Sequence, residues 1–157
     1  MKTLIIILLL IVGRDLLGQS HYLALKDKFL KADSILAISY ESKGDSIQSL
    51  QYLLKEPYTS LFILKNKRLL SHAEINKLIH ILIQGNRIVG LKTTTKYFKP
   101  RNALLIYERG SLSYIDICFS CRRIDTTRDI SFDDFDIKPD KWELLNKYFD
   151  KFDLITK

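Results

Sequence analysis

The alternation of apolar and polar residues is clearest in the middle of the chain. An apolar run at residues 103–107 leads into a turn at residues 108–111, in which Gly110 is free to take positive φ. Residues 112–119 then alternate, with Ile115, Ile117 and Phe119 on one face and Asp116 among the side chains on the other. This pattern predicts a β-hairpin across residues 102–119.

Helical spacing of apolar residues marks two further segments. Ser71 and Glu74 form a capping box, in which a hydroxyl and a carboxylate satisfy backbone N–H groups at a helix start, and an apolar stripe follows. Pro139 suits the first position of a second helix, whose aromatic and leucine side chains recur at helical spacing. We therefore predict helices at about residues 71–84 and 139–152.

Shorter patterns complete the predicted fold. They indicate strands at 33–41 and 58–64, short helices at 21–31 and 46–55, a basic turn at 66–68, a linker or strand at 88–98, and a long polar segment at 122–138. Strands in hairpin-connected groups with helices between them predict an α+β fold with an antiparallel sheet. Without repeats or a low-complexity linker, residues 21–157 are expected to form a single domain.

The first twenty residues have the layout of a secretory signal peptide. Lys2 precedes nine unbroken apolar residues, and a more polar stretch ends at Ser20. A transmembrane anchor is the alternative, but a bilayer-spanning helix needs about 20 apolar residues. We expect cleavage near Ser20, export to the periplasm or the medium, and no transmembrane span in the mature chain.

The chain is basic, with a formal net charge of +7, and the excess is concentrated between residues 55 and 101. This segment carries ten lysines and arginines against two glutamates. An acidic protein or an anionic surface is therefore a candidate partner, and solvated faces of ordinary strands and helices are the alternative. Nucleic acid is not an expected partner, because no arginine-rich run with interleaved aromatic residues occurs.

The sequence Cys118-Phe-Ser-Cys121 is the sharpest motif, and it holds both cysteines of the chain. Four interpretations are open: a structural disulfide, unpaired thiols, a redox-active pair, and half of a zinc site. Arg122 and Arg123, and Arg101 at the start of the hairpin, are candidate neighbours that could act on a thiolate. We predict a disulfide, which requires the strand to end at Cys118 and the chain to turn at Ser120.

Other chemistry is not indicated. The sequence contains no nucleophile–base–orienter set, no phosphate-binding loop and no pair of carboxylates in an apolar setting, so we predict no catalytic residue, no metal site and no cofactor. The expected function is that of an exported binding or structural domain. The alternative is a thiol–disulfide oxidoreductase that uses Cys118 and Cys121.

The hairpin resembles that of a group of small exported bacterial proteins of uncharacterised function. The resemblance rests on Pro100-Arg101-Asn-Ala103, an apolar strand ending in Tyr107, and Tyr114-Ile-Asp-Ile-Cys-Phe-Ser-Cys121, and extends more weakly to residues 32–40 and the C-terminal helix. Members of that group often carry a further cysteine before the Pro-Arg pair, where this chain has Tyr97-Phe98-Lys99. The resemblance implies export and the fold, and it offers no established activity to carry over to this chain.

Overall fold

A computed structural model describes residues 23–43, 49–55, 58–83, 98–130, 132, 137 and 139–155. The expected signal peptide, almost all of the predicted linker or strand at 88–98, and most of the polar segment after residue 130 lie outside the described residues. Within them, no helix is long and apolar enough to cross a membrane.

The centre of the fold is a five-stranded sheet. Its strands are β1 (Ser34–Ser42), β2 (Phe62–Leu69), β3 (Asn102–Glu108), β4 (Ser111–Cys118) and β5 (Arg123–Thr126). They lie in the order β2-β1-β3-β4-β5, and every neighbouring pair is antiparallel. The predicted α+β fold with an antiparallel sheet is confirmed.

The predicted central hairpin is formed by β3 and β4. Glu108 pairs with Ser111 across a two-residue turn in which Arg109 and Gly110 have φ values of 49° and 78°. Two consecutive residues with positive φ match the right-handed twist of the strands, and glycine accepts this conformation without steric cost.

Among the described residues, four helices accompany the sheet: α1 (residues 23–31), α2 (Leu50–Leu53), α3 (His72–Ile83) and α4 (Pro139–Asp150). A short 3₁₀ helix, Tyr58–Leu61, precedes β2. The capping box of α3 forms as predicted: the Ser71 N–H donates to Glu74 Oε2 at 2.7 Å, and the Glu74 N–H donates to Ser71 Oγ at 3.4 Å. The Tyr148 hydroxyl donates to the Glu74 carbonyl at 2.9 Å, which ties α4 to α3.

Both faces of the sheet are covered. On the first face, α1, α3 and α4 pack on strand residues such as Ile35, Leu104 and Ile117. On the second face, a smaller core joins Ile38, Tyr40, Ala103, Leu105 and Tyr114 to Leu50 and Leu53 of α2. The central strands β1 and β3 are therefore buried on both sides, whereas most of the edge strand β2 is exposed.

Three local predictions were wrong. Residues 66–68 lie inside β2 instead of forming a turn, because this edge strand presents polar side chains to solvent. Residues 58–61 form a 3₁₀ helix ahead of that strand. The polar segment after Cys121 contains β5, a four-residue strand with a single buried side chain, Ile124, which is too little apolar patterning to recognise.

Candidate functional site

The cysteine motif forms the turn between β4 and β5. β4 ends at Cys118, the chain reverses through residues 119–122, and the Arg122 N–H donates to the Phe119 carbonyl at 3.3 Å. A disulfide joins Cys118 to Cys121, whose Cα atoms are 5.5 Å apart. The predicted disulfide, with a turn at Ser120, is therefore present.

The surroundings of this disulfide differ from those of a redox-active pair. A catalytic CxxC places its first thiol at a helix N-terminus, where the helix dipole lowers the thiol pKa. Here the motif leads from one strand into the next, and Cys118 is only 2% exposed. The buried sulfur of Cys118 is instead engaged locally, accepting the Cys121 N–H at 3.3 Å. This geometry is typical of a structural crosslink.

The three arginines predicted beside the cysteines take different places. Arg122 is exposed in the turn at a φ of 50°. Arg123 begins β5, and its guanidinium lies over the Phe98 ring, 5.3 Å from the ring centroid. Arg101 is exposed just before β3 and lines a cleft that the cysteine turn also borders. Only Arg101 among the three contributes to this cleft.

The cleft, called the basic cleft below, has a volume of about 460 Å³. Its polar lining includes Lys99, Arg101, Ser120 and Asn146, and its apolar lining comprises Phe119 and Ile155. These residues come from the approach to β3, the cysteine turn, α4 and the C-terminal segment. It is a concave surface that combines two cations, neutral hydrogen-bonding groups and an apolar contact.

Two cations, Lys99 and Arg101, line the basic cleft. Within the described part of the chain, neither Lys99 nor Arg101 forms an ion pair, and no described carboxylate lines the cleft. Two neighbouring cations without an acid partner create a positive potential that attracts anions. A guanidinium in this position can bind a carboxylate through two parallel hydrogen bonds.

The walls of the basic cleft are fixed by packing and hydrogen bonds. The Phe119 ring packs edge-to-face on Phe149 of α4, with 5.4 Å between ring centroids. The side-chain amide of buried Asn102, which also lines the cleft, donates a hydrogen bond to the Leu154 carbonyl and holds the C-terminal segment in place. Together with the disulfide, these contacts define the cleft before any ligand arrives.

A second polar site, which the sequence analysis missed, lies under α2. Asp116 is fully buried on the second face of the sheet. The Tyr40 hydroxyl donates to its Oδ1 at 2.5 Å, and the Leu50 N–H, at the start of α2, donates to its Oδ2 at 2.9 Å. Burial raises the pKa of Asp116 to about 8, against the opposing effect of these two hydrogen bonds.

A neighbouring carboxylate also holds α2. Ser49 is the N-cap of the helix and accepts the Gln51 N–H at 3.3 Å, while its own hydroxyl donates to Asp125 Oδ2 of β5 at 2.7 Å. The negative charge of Asp125 further raises the pKa of Asp116. The sequence analysis expected no pair of carboxylates in an apolar setting and did not single out Asp116, which is buried beside the half-buried Asp125. Strand alternation places Asp116 on the other face of β4 from Ile115 and Ile117, but nothing in the nearby sequence indicates that α2 covers the face on which Asp116 lies.

Among the described residues, no group of three or more histidine, cysteine or acidic side chains is arranged to hold a metal ion. No protein-family model, no curated protein and no solved structure matches the chain. The function is therefore inferred from the geometry of the site itself.

Proposed function

We propose that the protein is an exported binding domain that captures a carboxylate-bearing segment of an acidic protein in the basic cleft. The observation that carries the proposal is the pairing of Lys99 and Arg101 over an apolar contact with no described acid to neutralise them. Both residues belong to the basic segment, 55–101, from which the sequence predicts an acidic partner or an anionic surface.

The dimensions of the basic cleft favour a discrete acidic group over an extended anionic surface. A volume of about 460 Å³ lies within the range of about 300–1,000 Å³ that is usual for small-ligand sites, and it accommodates one or two side chains of a partner. An anionic membrane is instead attracted by clusters of about four to eight basic residues. Two cations that share the lining of the cleft with Phe119 and Ile155 suit an acidic side chain followed by an apolar one.

The alternative function, thiol–disulfide exchange by Cys118 and Cys121, has weaker support. A turn between two strands supplies no helix N-terminus to stabilise an attacking thiolate. If the protein were nevertheless an oxidoreductase, it would reduce insulin in the presence of a thiol donor, and the turnover would be lost in Cys118→Ser.

Export is the part of the proposal that rests on the sequence, through the signal-peptide pattern and the resemblance described above. Expression of the full chain in a bacterial host with an intact secretion system tests it. Intact-mass measurement of periplasmic material should show a chain cut between Gly18 and His21. Uncleaved protein in the membrane fraction would contradict export and favour an N-terminal anchor.

The basic cleft is tested by NMR titration of the labelled protein with a hexaglutamate peptide at low salt. We expect shifts that concentrate at Arg101, Ser120 and their neighbours, and binding about tenfold weaker in the Lys99→Gln/Arg101→Gln double variant, because charge-assisted hydrogen bonds are lost. A hexaglutamine peptide should not bind.

The matched control is Lys26→Gln/Lys77→Gln, which removes the same charge from exposed positions on α1 and α3. Equal weakening in both double variants would show that general positive charge, and not the basic cleft, attracts the peptide. Binding to anionic vesicles without binding to the peptide would also contradict the proposal, because it would favour a membrane surface.

A further inference from the structure

A second cleft, here called the α2 groove, lies on the second face of the sheet. Its volume is about 480 Å³. One wall is formed by Leu50 and Leu54 at the two ends of α2, and the other by Leu112 and Tyr114 of β4. Lys55, just beyond α2, and Arg128, just beyond β5, also line the groove.

Two of the four apolar side chains in the walls of the α2 groove, Leu54 and Leu112, are exposed to water, whereas Leu50 and Tyr114 are buried. Leu54 is 37% exposed and Leu112 is 40% exposed. Contact with an apolar ligand would remove this surface from water, and such removal is favourable in proportion to the area covered. Because Leu54 and Leu112 line one concave site, we expect an apolar group bound there to contact both.

Two cations, Lys55 and Arg128, lie in the described lining of the groove. Neither Lys55 nor Arg128 forms an ion pair with another described residue, and no described acid lines the groove. The complementary ligand therefore has one anionic end and an apolar body. This combination distinguishes the α2 groove from the basic cleft, whose lining is more polar.

The helix that forms one wall is held by two carboxyl groups, the buried Asp116 and the half-buried Asp125. A four-residue helix has little intrinsic stability, because most of its backbone hydrogen bonds cannot form within the helix. Asp116 accepts the Leu50 N–H, and Asp125 accepts the Ser49 hydroxyl, so two strands of the sheet fix its N-terminus.

Burial of a carboxylate is costly, and an apolar residue at position 116 would pack against the sheet without that cost. The carboxylate instead sets the position of α2 above β4. Because the position of α2 is already fixed, less conformational entropy is lost when a ligand binds against it.

We propose that the α2 groove binds a small amphipathic carboxylate, with its acyl chain between Leu54 and Leu112 and its carboxylate between Lys55 and Arg128. The volume lies toward the lower part of the range of about 300–1,000 Å³ for small-molecule sites, which suits a single medium-length chain. This site is separate from the basic cleft, and neither proposal depends on the other.

Decanoate is the probe that tests this inference, titrated into the protein and followed by NMR and calorimetry. We expect saturable binding with shifts at Leu54, Leu112 and Tyr114. Butyrate, which lacks most of the apolar chain, and decanol, which lacks the charge, should each bind about tenfold more weakly or worse.

Two variants test the two halves of the site. Leu112→Ser alters a wall residue that is already partly exposed, and Lys55→Gln/Arg128→Gln removes both cations; each should weaken decanoate binding about tenfold. The control Lys26→Gln/Lys77→Gln has the same change of charge and should bind decanoate like the unmodified protein. Circular dichroism confirms that each variant folds.

Several results would overturn the inference. Decanoate could fail to bind saturably, or decanol could bind with equal affinity. The affinity for decanoate could also be unchanged in Leu112→Ser or in Lys55→Gln/Arg128→Gln. A loss of decanoate binding in Lys99→Gln/Arg101→Gln would place the ligand in the basic cleft instead. Hexaglutamate binding in the same samples separates the two sites. If it persists while decanoate fails to bind, only the α2 groove is rejected.

Discussion

The buried carboxylate of Asp116 makes the stability of the protein depend on pH in an unusual direction. Burial raises its pKa from the ordinary value of 3.8 to about 8, so the folded state binds this proton more tightly than the unfolded chain does. The stabilisation is complete below pH 3.8 and is lost as the pH rises through 8, because deprotonation then leaves a charge in the core.

The magnitude follows from the two pKa values. Each unit of pKa difference corresponds to about 1.4 kcal/mol, and linkage between 3.8 and about 8 predicts a fall of about 3–4 kcal/mol in the free energy of unfolding from pH 5 to pH 8. Small domains are stable by about 5–15 kcal/mol, so a change of this size is readily measured.

The pH window isolates Asp116 from other carboxyls with shifted pKa values. A hydrogen bond from the Ser71 N–H lowers the pKa of Glu74. Burial tends to raise the pKa of Asp129, but hydrogen bonds from Ser113 and Lys28 have the larger combined effect and lower this pKa to about 2. Both carboxyls therefore titrate below pH 5, outside the interval in which Asp116 dominates.

The assay is urea unfolding at several pH values between 5 and 8.5, for the unmodified protein and for Asp116→Asn. At pH 5 the Asp116 carboxyl is protonated, and the amide resembles it in having one acceptor oxygen and one donor group, so the variant should be within about 1 kcal/mol of the unmodified protein. It carries no titrating proton, so its stability should vary less with pH, and the variant should become the more stable of the two as the pH rises toward 8.

Tyr148→Phe is the matched control, because it removes another tyrosine hydroxyl that donates a part-buried hydrogen bond, here to the Glu74 carbonyl. It should cost about 0.5–1.5 kcal/mol at every pH, without a change of slope. A flat pH dependence in the unmodified protein, or the same slope in Asp116→Asn, would refute the reasoning about Asp116.

Three further predictions concern stability. Leu78→Ala should lower the free energy of unfolding in urea by about 2–5 kcal/mol, because Leu78 is fully buried under the first face of the sheet. Leu144→Ala, at a position 43% exposed, should lower it by less than about 1 kcal/mol. Similar losses in the two variants would mean that the apolar face of α3 is misassigned. Ser71→Ala should cost about 0.5–2 kcal/mol by removing the cap of α3, and an unchanged midpoint would contradict the capping box. Thiol counting on denatured, unreduced protein should find no free thiol, and Cys118→Ser/Cys121→Ser should cost about 2 kcal/mol because the closed loop is so short; two reactive thiols would rule out the disulfide.

The elements that the sequence predicted well are those specified by neighbouring residues. The capping box at Ser71 and Glu74 marks the start of α3 because both partners lie within one helical turn. The turn at Arg109-Gly110 joins β3 to β4 because glycine accepts positive φ. The disulfide belongs to the same class, since its two cysteines lie three positions apart and need only a local reversal of the chain.

The elements that the sequence did not reveal depend on residues far apart in the chain. Asp116 lies 66 positions from Leu50, whose N–H it accepts, and 76 positions from Tyr40. The polar residues 66–68 form a strand because β1 lies beside them and supplies the hydrogen bonds of the sheet.

The sequence alone determined the alternation of β4, the cap of α3, the turn at Arg109-Gly110 and the close pair of cysteines, because each is a local conformational preference. The tertiary structure decided what covers each face of β4, which carboxyl group is buried, and which cations of the basic segment share a cleft with the cysteine turn. The physical reason is that burial and electrostatic environment depend on what the folded chain places against a residue, and strand alternation specifies the face on which a side chain lies but not what covers that face.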